Sequence, residues 1–272
     1  MVREHLELSA LTRRRFLFAT GAFAAAGFAG YSSVTRAFGV TTDAGRLRIP
    51  TGTFTGTVSA GLQELGGRNG LLYIPPSYRA NEPLPLLILL HKSQGTPASW
   101  FSAGHPSARD SYSKYADSGR FIILAPAAAG DTWDGGPKTW GHDFVLINSA
   151  LEAACARCAI DRRRLAIGGF SDGASYALSL GLANGDLFGN VIAFSPGYIV
   201  RSIGRGRPAL FISHGTVDKV LPIDECSRPF VAALRKNGYT VNFQEFSGRH
   251  EVPSAISDQA MAWLRTSFDQ RM

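Results

Sequence analysis

The chain has 272 residues, of which 45% are hydrophobic and 18% charged, and its formal net charge is +7 at pH 7. This size and composition fit one globular domain with a substantial core, and we find no internal repeat or low-complexity linker. The basic residues are scattered, apart from Arg162 to Arg164, which we interpret as a solvated turn, so the composition excludes the basic, aromatic-interleaved surface of a nucleic-acid-binding protein.

The N-terminal segment has the pattern of a twin-arginine export signal. The arginines at 13–15 precede an uncharged segment rich in Ala, Gly and Phe that continues to Val34. A membrane anchor is the competing interpretation, because roughly 19 residues can just span a bilayer. The many Ala and Gly residues make the segment weakly hydrophobic, which favours export over stable membrane insertion.

We therefore divide the chain into an export signal at residues 1–37 and a single domain at residues 38–272. Cleavage is expected near Ala37, with Ala29 as an alternative site. The twin-arginine translocase is the expected partner during export, and the mature protein is expected in the periplasm or outside the cell.

Short apolar runs alternate with helical patterns through the mature part. The runs 86–90 and 121–124 are continuously apolar, as expected for parallel strands that are buried on both faces. The alternation predicts an α/β fold with a doubly wound, mostly parallel sheet flanked by helices, whose site lies beyond the carboxyl ends of the strands. Strands are predicted at 61–65, 70–75, 86–91, 121–125, 165–168, 191–194, 209–214 and 241–246, and helices at 107–118, 144–158, 172–184, 226–237 and 252–268.

A G-x-S-x-G sequence, Gly169 to Gly173, stands between a predicted strand and a predicted helix. The two glycines allow a sharp turn that exposes the hydroxyl of Ser171, which is therefore the candidate nucleophile. The backbone N–H of Asp172, at the start of the helix, is a candidate oxyanion donor.

A serine nucleophile needs an imidazole that accepts its proton and a carboxylate that orients the imidazole. After Ser171, Asp218 follows one predicted strand and His250 follows the last one. Asp224 is the competing acid. His214 ends a strand ahead of Asp218 and is expected to be a hydrogen-bonding loop residue. The remaining histidines precede Ser171, in the wrong chain order for a base, and are His5, His91, His105 and His142.

At these residues, from about Leu71 to the C-terminus, the chain resembles the α/β-hydrolase family. The elbow, the segment from His214 to Asp218 and the His250 loop are similar to those of phospholipase/carboxylesterase-like serine esterases, which are related to polyhydroxybutyrate depolymerases and feruloyl esterases. The resemblance implies an α/β-hydrolase fold and cleavage of carboxylic esters through a Ser-His-Asp triad, without a metal or cofactor. We expect a small or medium ester as substrate.

The resemblance also implies that Ser93 supplies the second oxyanion N–H. Lys92 stands where the family usually carries glycine, and Phe170 stands where many members carry histidine; we expect Phe170 to pack in the core. A serine peptidase of the same fold is an alternative function. A non-catalytic binding module of the cell envelope on a hydrolase scaffold is the other, and Lys92 is the residue that favours it.

Residues 127–143 form a long predicted loop that contains Trp133 and Trp140. Long loops without regular structure often have a functional role, so these tryptophans, with Trp100 and Phe101, are expected to form the rim of the substrate pocket. The cysteines, at 155, 158 and 226, are expected to be buried structural residues, because the C-x-x-C pair ends a helical pattern and has no second pair of zinc ligands.

Overall fold

A computed structural model describes residues 45–50, 54, 56, 58–66, 70–102, 111–134, 140–200, 202 and 204–271. The predicted export signal, His105 and the middle of the 127–143 loop lie outside these residues. Among the described residues, no helix has the length and hydrophobicity needed to cross a membrane.

The described residues form an eight-stranded sheet in the order β1-β2-β4-β3-β5-β6-β7-β8. The strands β3 to β8 pair in parallel, whereas β1 and β2 add an antiparallel edge next to β4. The prediction of a doubly wound, mostly parallel α/β sheet is thus confirmed. The strands are β1 (Gly61–Glu64), β2 (Leu71–Ile74), β3 (Leu84–Leu90), β4 (Ile122–Ala125), β5 (Ile160–Phe170), β6 (Asn190–Phe194), β7 (Ala209–Gly215) and β8 (Val241–Phe246).

Helices cover both faces of the sheet because successive side chains of a strand point to opposite sides. In β3, Leu86, Ile88 and Leu90 belong to one buried cluster, and Leu87 and Leu89 belong to another. The first cluster includes residues of α2, α3 and α4, and the second includes residues of α1 and α5. The helices are α1 (Ser113–Gly119), α2 (Asp143–Arg157), α3 (Asp172–Ala183), α4 (Ser227–Lys236) and α5 (Ser254–Asp269).

The arginines at 162–164 are strand residues, so their interpretation as a solvated turn is wrong. β5 begins at Ile160, which pairs with Leu84 of β3. The carboxylate of Asp161 accepts hydrogen bonds from the backbone N–H of Arg163 and from Nε of Arg164. The ion pair between Arg164 and Asp161, at 2.7 Å, compensates an arginine charge at the start of the strand.

Candidate active site

Ser171 lies at the sharp turn between β5 and α3, with φ 58° and ψ −119°. A positive φ is unfavourable for a residue with a Cβ, so the turn depends on its surroundings. The N–H of Ser171 donates to the carbonyl of Phe194, at 2.9 Å. A Cβ on Gly169 would lie 2.5 Å from the backbone of Gly173, and one on Gly173 would lie 2.3 Å from the carbonyl oxygen of His91. Only glycine fits at either position.

The structure brings the three predicted side chains of the triad within hydrogen-bonding distance. Nε2 of His250 lies 2.8 Å from Oγ of Ser171, and Nδ1 of His250 lies 2.6 Å from Oδ2 of Asp218. Asp224 is exposed and pairs with Arg228 at 2.6 Å. This arrangement can carry a proton from the serine hydroxyl to an imidazole that a carboxylate orients.

The carboxylate of Asp218 is fully buried and accepts several hydrogen bonds. Its Oδ1 accepts from the backbone N–H groups of Val220 and Leu221, at 2.8 and 2.9 Å. Burial alone would raise the pKa of Asp218, but the hydrogen bonds from His214 and His250 outweigh burial and hold the pKa well below its usual range. The charged form is therefore favoured beside His250.

His214 is a hydrogen-bonding residue, as its place at the end of β7 predicted, and its partners include the carboxylate itself. Its Nε2 lies 2.7 Å from the carbonyl of Leu221 and 3.2 Å from Oδ2 of Asp218. Both are acceptors, so Nε2 carries a proton, and in the neutral tautomer Nδ1 accepts from Oγ of Ser227, at 2.7 Å. Chain order alone did not indicate the contact with Asp218.

Phe170 is buried, as expected, and also contacts the candidate base. Its ring centroid lies 4.8 Å from that of the His250 imidazole, with an angle of 32° between the rings. Because Phe170 directly precedes Ser171, the same stretch of chain positions the hydroxyl and supports one face of the imidazole. The sequence predicted burial of this residue without indicating its partner.

The backbone N–H groups of Ser93 and Asp172 are available for an oxyanion. In the described part of the chain, neither donates to a protein acceptor. Lys92 does not require the positive φ that glycine tolerates; the residue with positive φ in this loop is Gln94, at 56°. The ammonium of Lys92 donates to the carbonyl of Ser93, at 3.3 Å. The side chain at position 92 is therefore compatible with the loop.

The side chain of Asp172 joins the elbow to two neighbouring loops. Its Oδ2 accepts from the backbone N–H of Trp133, at 2.8 Å, and its Oδ1 accepts from the hydroxyl of Tyr198, at 2.9 Å. Burial raises the pKa of Asp172 despite these bonds, which favour the charged form. Nothing in the sequence pattern indicated Tyr198, which lies 26 residues from its partner.

The expected aromatic rim is largely wrong. Trp100 is fully buried and Trp133 is 2% exposed, and both belong to the hydrophobic core. Phe101 and Trp140 are partly buried and pack against the core, with the indole nitrogen of Trp140 buried, so Trp140 is a packing residue rather than a rim residue. Trp133 packs between His91 and Tyr176, with ring centroids 4.9 and 5.6 Å away. In this inward position the indole N–H of Trp133 is satisfied by a buried acceptor, the carbonyl of His91.

The three cysteines are unpaired thiols in the described structure, with Cys158 and Cys226 buried and Cys155 half-buried. Burial raises the pKa of Cys155 to about 11 and those of Cys158 and Cys226 to about 12. Such thiols are poor nucleophiles at neutral pH. Within the described ranges, His, Cys, Asp and Glu side chains form no cluster of three that could hold a metal ion.

Two family models match the chain. The model described as "Putative esterase" matches residues 65–204, and the model described as "Phospholipase/Carboxylesterase" matches residues 144–268. Feruloyl esterase C of Emericella nidulans is 28% identical over 170 residues, and the protein named "Probable feruloyl esterase C" of Aspergillus terreus is 29% identical over 169. Each alignment covers 62% of this chain and 61% of the relative, so the chain spans less than two thirds of these proteins.

Solved structures share the fold. A ferulic acid esterase of Anaeromyces mucronatus superposes with a TM-score of 0.57 over 82% of this chain and 98% of that one, at 20% identity. A thermostable esterase superposes with a TM-score of 0.56 over 71% of this chain and 57% of that one, also at 20% identity. At this level of identity, the superpositions support the α/β-hydrolase architecture.

Proposed function

Because this chain belongs to the esterase family, whose model matches more than half of it, we propose that the protein is a serine hydrolase that cleaves carboxylic esters. The observation that carries the proposal is the continuous hydrogen-bonded path from Ser171 through His250 to Asp218. Ser171, His250 and Asp218 would act as nucleophile, base and orienting acid, with no metal or cofactor.

The geometry supports acyl transfer in two steps. Oγ of Ser171 attacks the ester carbonyl while Nε2 of His250 accepts the hydroxyl proton, and Asp218 stabilises the resulting imidazolium. The N–H groups of Asp172 and Ser93 donate to the oxyanion of the tetrahedral intermediate. When that intermediate collapses, the C–O bond to the alcohol breaks and His250 returns the proton to the alcohol oxygen. Water, deprotonated by His250, then attacks the acyl-serine ester. The bond between the acyl carbon and Oγ of Ser171 breaks, His250 returns the proton to Oγ, and the carboxylic acid is released.

A small or medium ester is the substrate class that we propose. Two of the relatives are named feruloyl esterase C, and the alignments cover 61% of each, so a feruloyl ester is the first substrate to test. A panel of p-nitrophenyl esters of increasing chain length, a feruloyl ester and a short polyhydroxybutyrate oligomer would rank the acyl groups by kcat/KM. A peptide amide in the same panel tests the peptidase alternative.

The decisive experiment replaces the nucleophile. The S171A variant should lose p-nitrophenyl ester hydrolysis and labelling by a fluorophosphonate probe. S195A is a suitable matched control because Ser195 also has a positive φ at the end of a strand, yet its Oγ has no hydrogen-bond partner in the described structure. Retained hydrolysis in S171A would refute the proposal. A wild-type protein that binds polymer or glycan but never reacts with the probe would favour the non-catalytic alternative.

We also propose export by the twin-arginine route, which rests on the sequence of residues 1–37. Replacing Arg13 and Arg14 together by lysine should retain the protein in the cytoplasmic fraction, because the translocase reads the arginine pair rather than its charge. The wild-type protein should appear in the periplasm or the medium. An unchanged distribution of the double variant would contradict this route.

A further inference from the structure

Trp133 bonds to both sides of the candidate oxyanion hole. Its indole Nε1–H donates to the carbonyl of His91, at 2.8 Å, and its backbone N–H donates to Oδ2 of Asp172, also at 2.8 Å. His91 lies two residues before Ser93, and Asp172 carries the opposite oxyanion N–H. One buried residue therefore connects the two segments that present the donors.

Further contacts join the same two loops. The backbone N–H of Gln94 donates to the carbonyl of Asp131, at 2.5 Å, and that of Ala128 donates to Nε2 of His91, at 3.3 Å. Nδ1 of His91 faces the carbonyl of Lys92, at 2.9 Å, so Nδ1 carries the proton and Nε2 accepts. Burial lowers the pKa of His91, which agrees with this neutral tautomer.

The Ser93 side of the hole needs such support. The turn from Lys92 to Gly95 is closed by a 2.9 Å hydrogen bond and places Gln94 at φ 56°, which costs a non-glycine residue about 1 kcal/mol or more. A loop strained in this way keeps its shape only where neighbouring residues hold it. Here Trp133 holds it through the hydrogen bond to the carbonyl of His91, and Asp131 holds it by accepting from the N–H of Gln94.

We propose that Trp133 is a positioning residue that fixes the distance between the oxyanion donors of Ser93 and Asp172. This inference rests on the proposed esterase function. Because a tetrahedral oxyanion exists only after attack on the carbonyl, misplacing one donor weakens binding of the transition state and leaves binding of the substrate nearly unchanged. Trp133 should therefore influence kcat rather than KM.

The test compares two tryptophans that pack against the same ring. W133F keeps an aromatic ring beside Tyr176 and the backbone N–H, but loses the bond to His91. W140F is the matched control: Trp140 also contacts Tyr176, with centroids 5.5 Å apart, and its buried Nε1 has no hydrogen-bond partner in the described structure. We expect kcat to fall about 10-fold in W133F, less than after complete loss of an oxyanion donor, with KM within twofold. W140F should keep both constants.

An oxyanion-forming inhibitor provides a second readout. A trifluoromethyl ketone adds to a nucleophilic serine and produces a tetrahedral oxyanion, so its inhibition constant should rise in W133F by the factor by which kcat/KM falls. The inhibition constant of the corresponding secondary alcohol, which forms no oxyanion, should not change. If W133F unfolds, benzothienylalanine introduced at position 133 replaces the indole N–H by sulfur at nearly constant shape and should give the same pattern.

The inference is overturned if W133F keeps the wild-type kcat, if it raises KM alone, or if W140F loses kcat equally. A different variant tests the proposed function. If S171A were to retain hydrolysis, the esterase assignment would be wrong. An inactive S171A beside an unaffected W133F would leave the esterase assignment standing and reject the positioning role.

Discussion

His214 and Asp218 are hydrogen-bonded in the interior, with Nε2 of the imidazole 3.2 Å from Oδ2 of the carboxylate and no exposed side-chain surface on either residue. The same oxygen lies 2.6 Å from Nδ1 of His250. Two imidazoles thus share one carboxylate oxygen, and the negative charge that faces His250 is reduced by the second donor.

We therefore expect the substitution H214L to move the pKa of Asp218 back toward the ordinary aspartate range, because the hydrogen bond from His214 is the main contact that lowers it. The low pKa stabilises the folded state above the ordinary aspartate pKa of about 3.9, and this contribution is lost as the pH falls toward the native pKa. Urea denaturation of H214L should therefore show a smaller loss of stability between pH 7 and pH 3 than wild type. The control H214Q can still donate from its amide and should remain close to wild type. The same pH dependence of stability in H214L and wild type would contradict this prediction.

The substitution D218N should reduce kcat by about 10⁴-fold if Asp218 orients and stabilises the imidazole of the base.

The substitution D218N should also change how the stability of the folded state depends on pH. The low pKa of Asp218 stabilises the folded state above the ordinary aspartate pKa of about 3.9, and this contribution is lost as the pH falls from there toward the native pKa. Urea denaturation of both proteins should show a stability difference at pH 7 that narrows below about pH 4. A difference independent of pH would argue against the depressed pKa.

The substitution F170A should destabilise the protein by about 3 to 5 kcal/mol, because Phe170 is fully buried and its removal leaves a cavity beside His250. F170L keeps much of the volume and should cost less. Urea denaturation gives the stability, and the kcat of the folded variants reports whether the base remains aligned. If F170A were as stable as wild type, Phe170 would not be a buried residue packed against the His250 imidazole.

The substitution K92A should leave kcat/KM within about twofold of wild type. Lys92 has no positive φ to relieve, and its ammonium donates a long hydrogen bond to the carbonyl of Ser93 rather than contacting the N–H of Ser93, which is the candidate oxyanion donor. A large loss of activity would mean that the ammonium acts on the substrate or the oxyanion. A large increase of kcat/KM in K92G would mean that the loop functions better with the glycine that the family usually carries.

The substitution Y198F removes the hydroxyl that donates to Asp172 and should cost about 1.5 to 3 kcal/mol of stability, as expected for a hydrogen bond to a charged group. Y73F is the comparison, because the hydroxyl of Tyr73 also donates to an aspartate, Asp117, but at an exposed position where water can replace it. Urea denaturation should show a clearly larger effect for Y198F. If the two substitutions reduced the free energy of unfolding equally, burial would not strengthen the hydrogen bond to Asp172.

The strands and the candidate triad could be predicted because their signals are local. Apolar runs of strand length mark the sheet, and the order Ser171, Asp218, His250 places each side chain after a strand. The inward position of Trp133 could not be predicted, because it depends on a carbonyl acceptor 42 residues away. The strand residues 162–164 were not predicted, because three consecutive arginines are typical of an exposed turn. The contacts of Asp161 with Arg163 and Arg164 cannot be read from the sequence.

A methyl group added at Gly169 would strike main-chain atoms of Gly173 and Leu90, and one added at Gly173 would strike main-chain atoms of His91 and Leu90. A clash with a side chain can be relieved by a second substitution that makes that side chain smaller. A clash with main-chain atoms cannot be relieved in this way, because every residue keeps the same backbone atoms. Selection for suppressors of G169A or G173A should therefore recover reversion to glycine and no compensating change elsewhere. These two positions have no neutral path to another residue while the turn at Ser171 is kept.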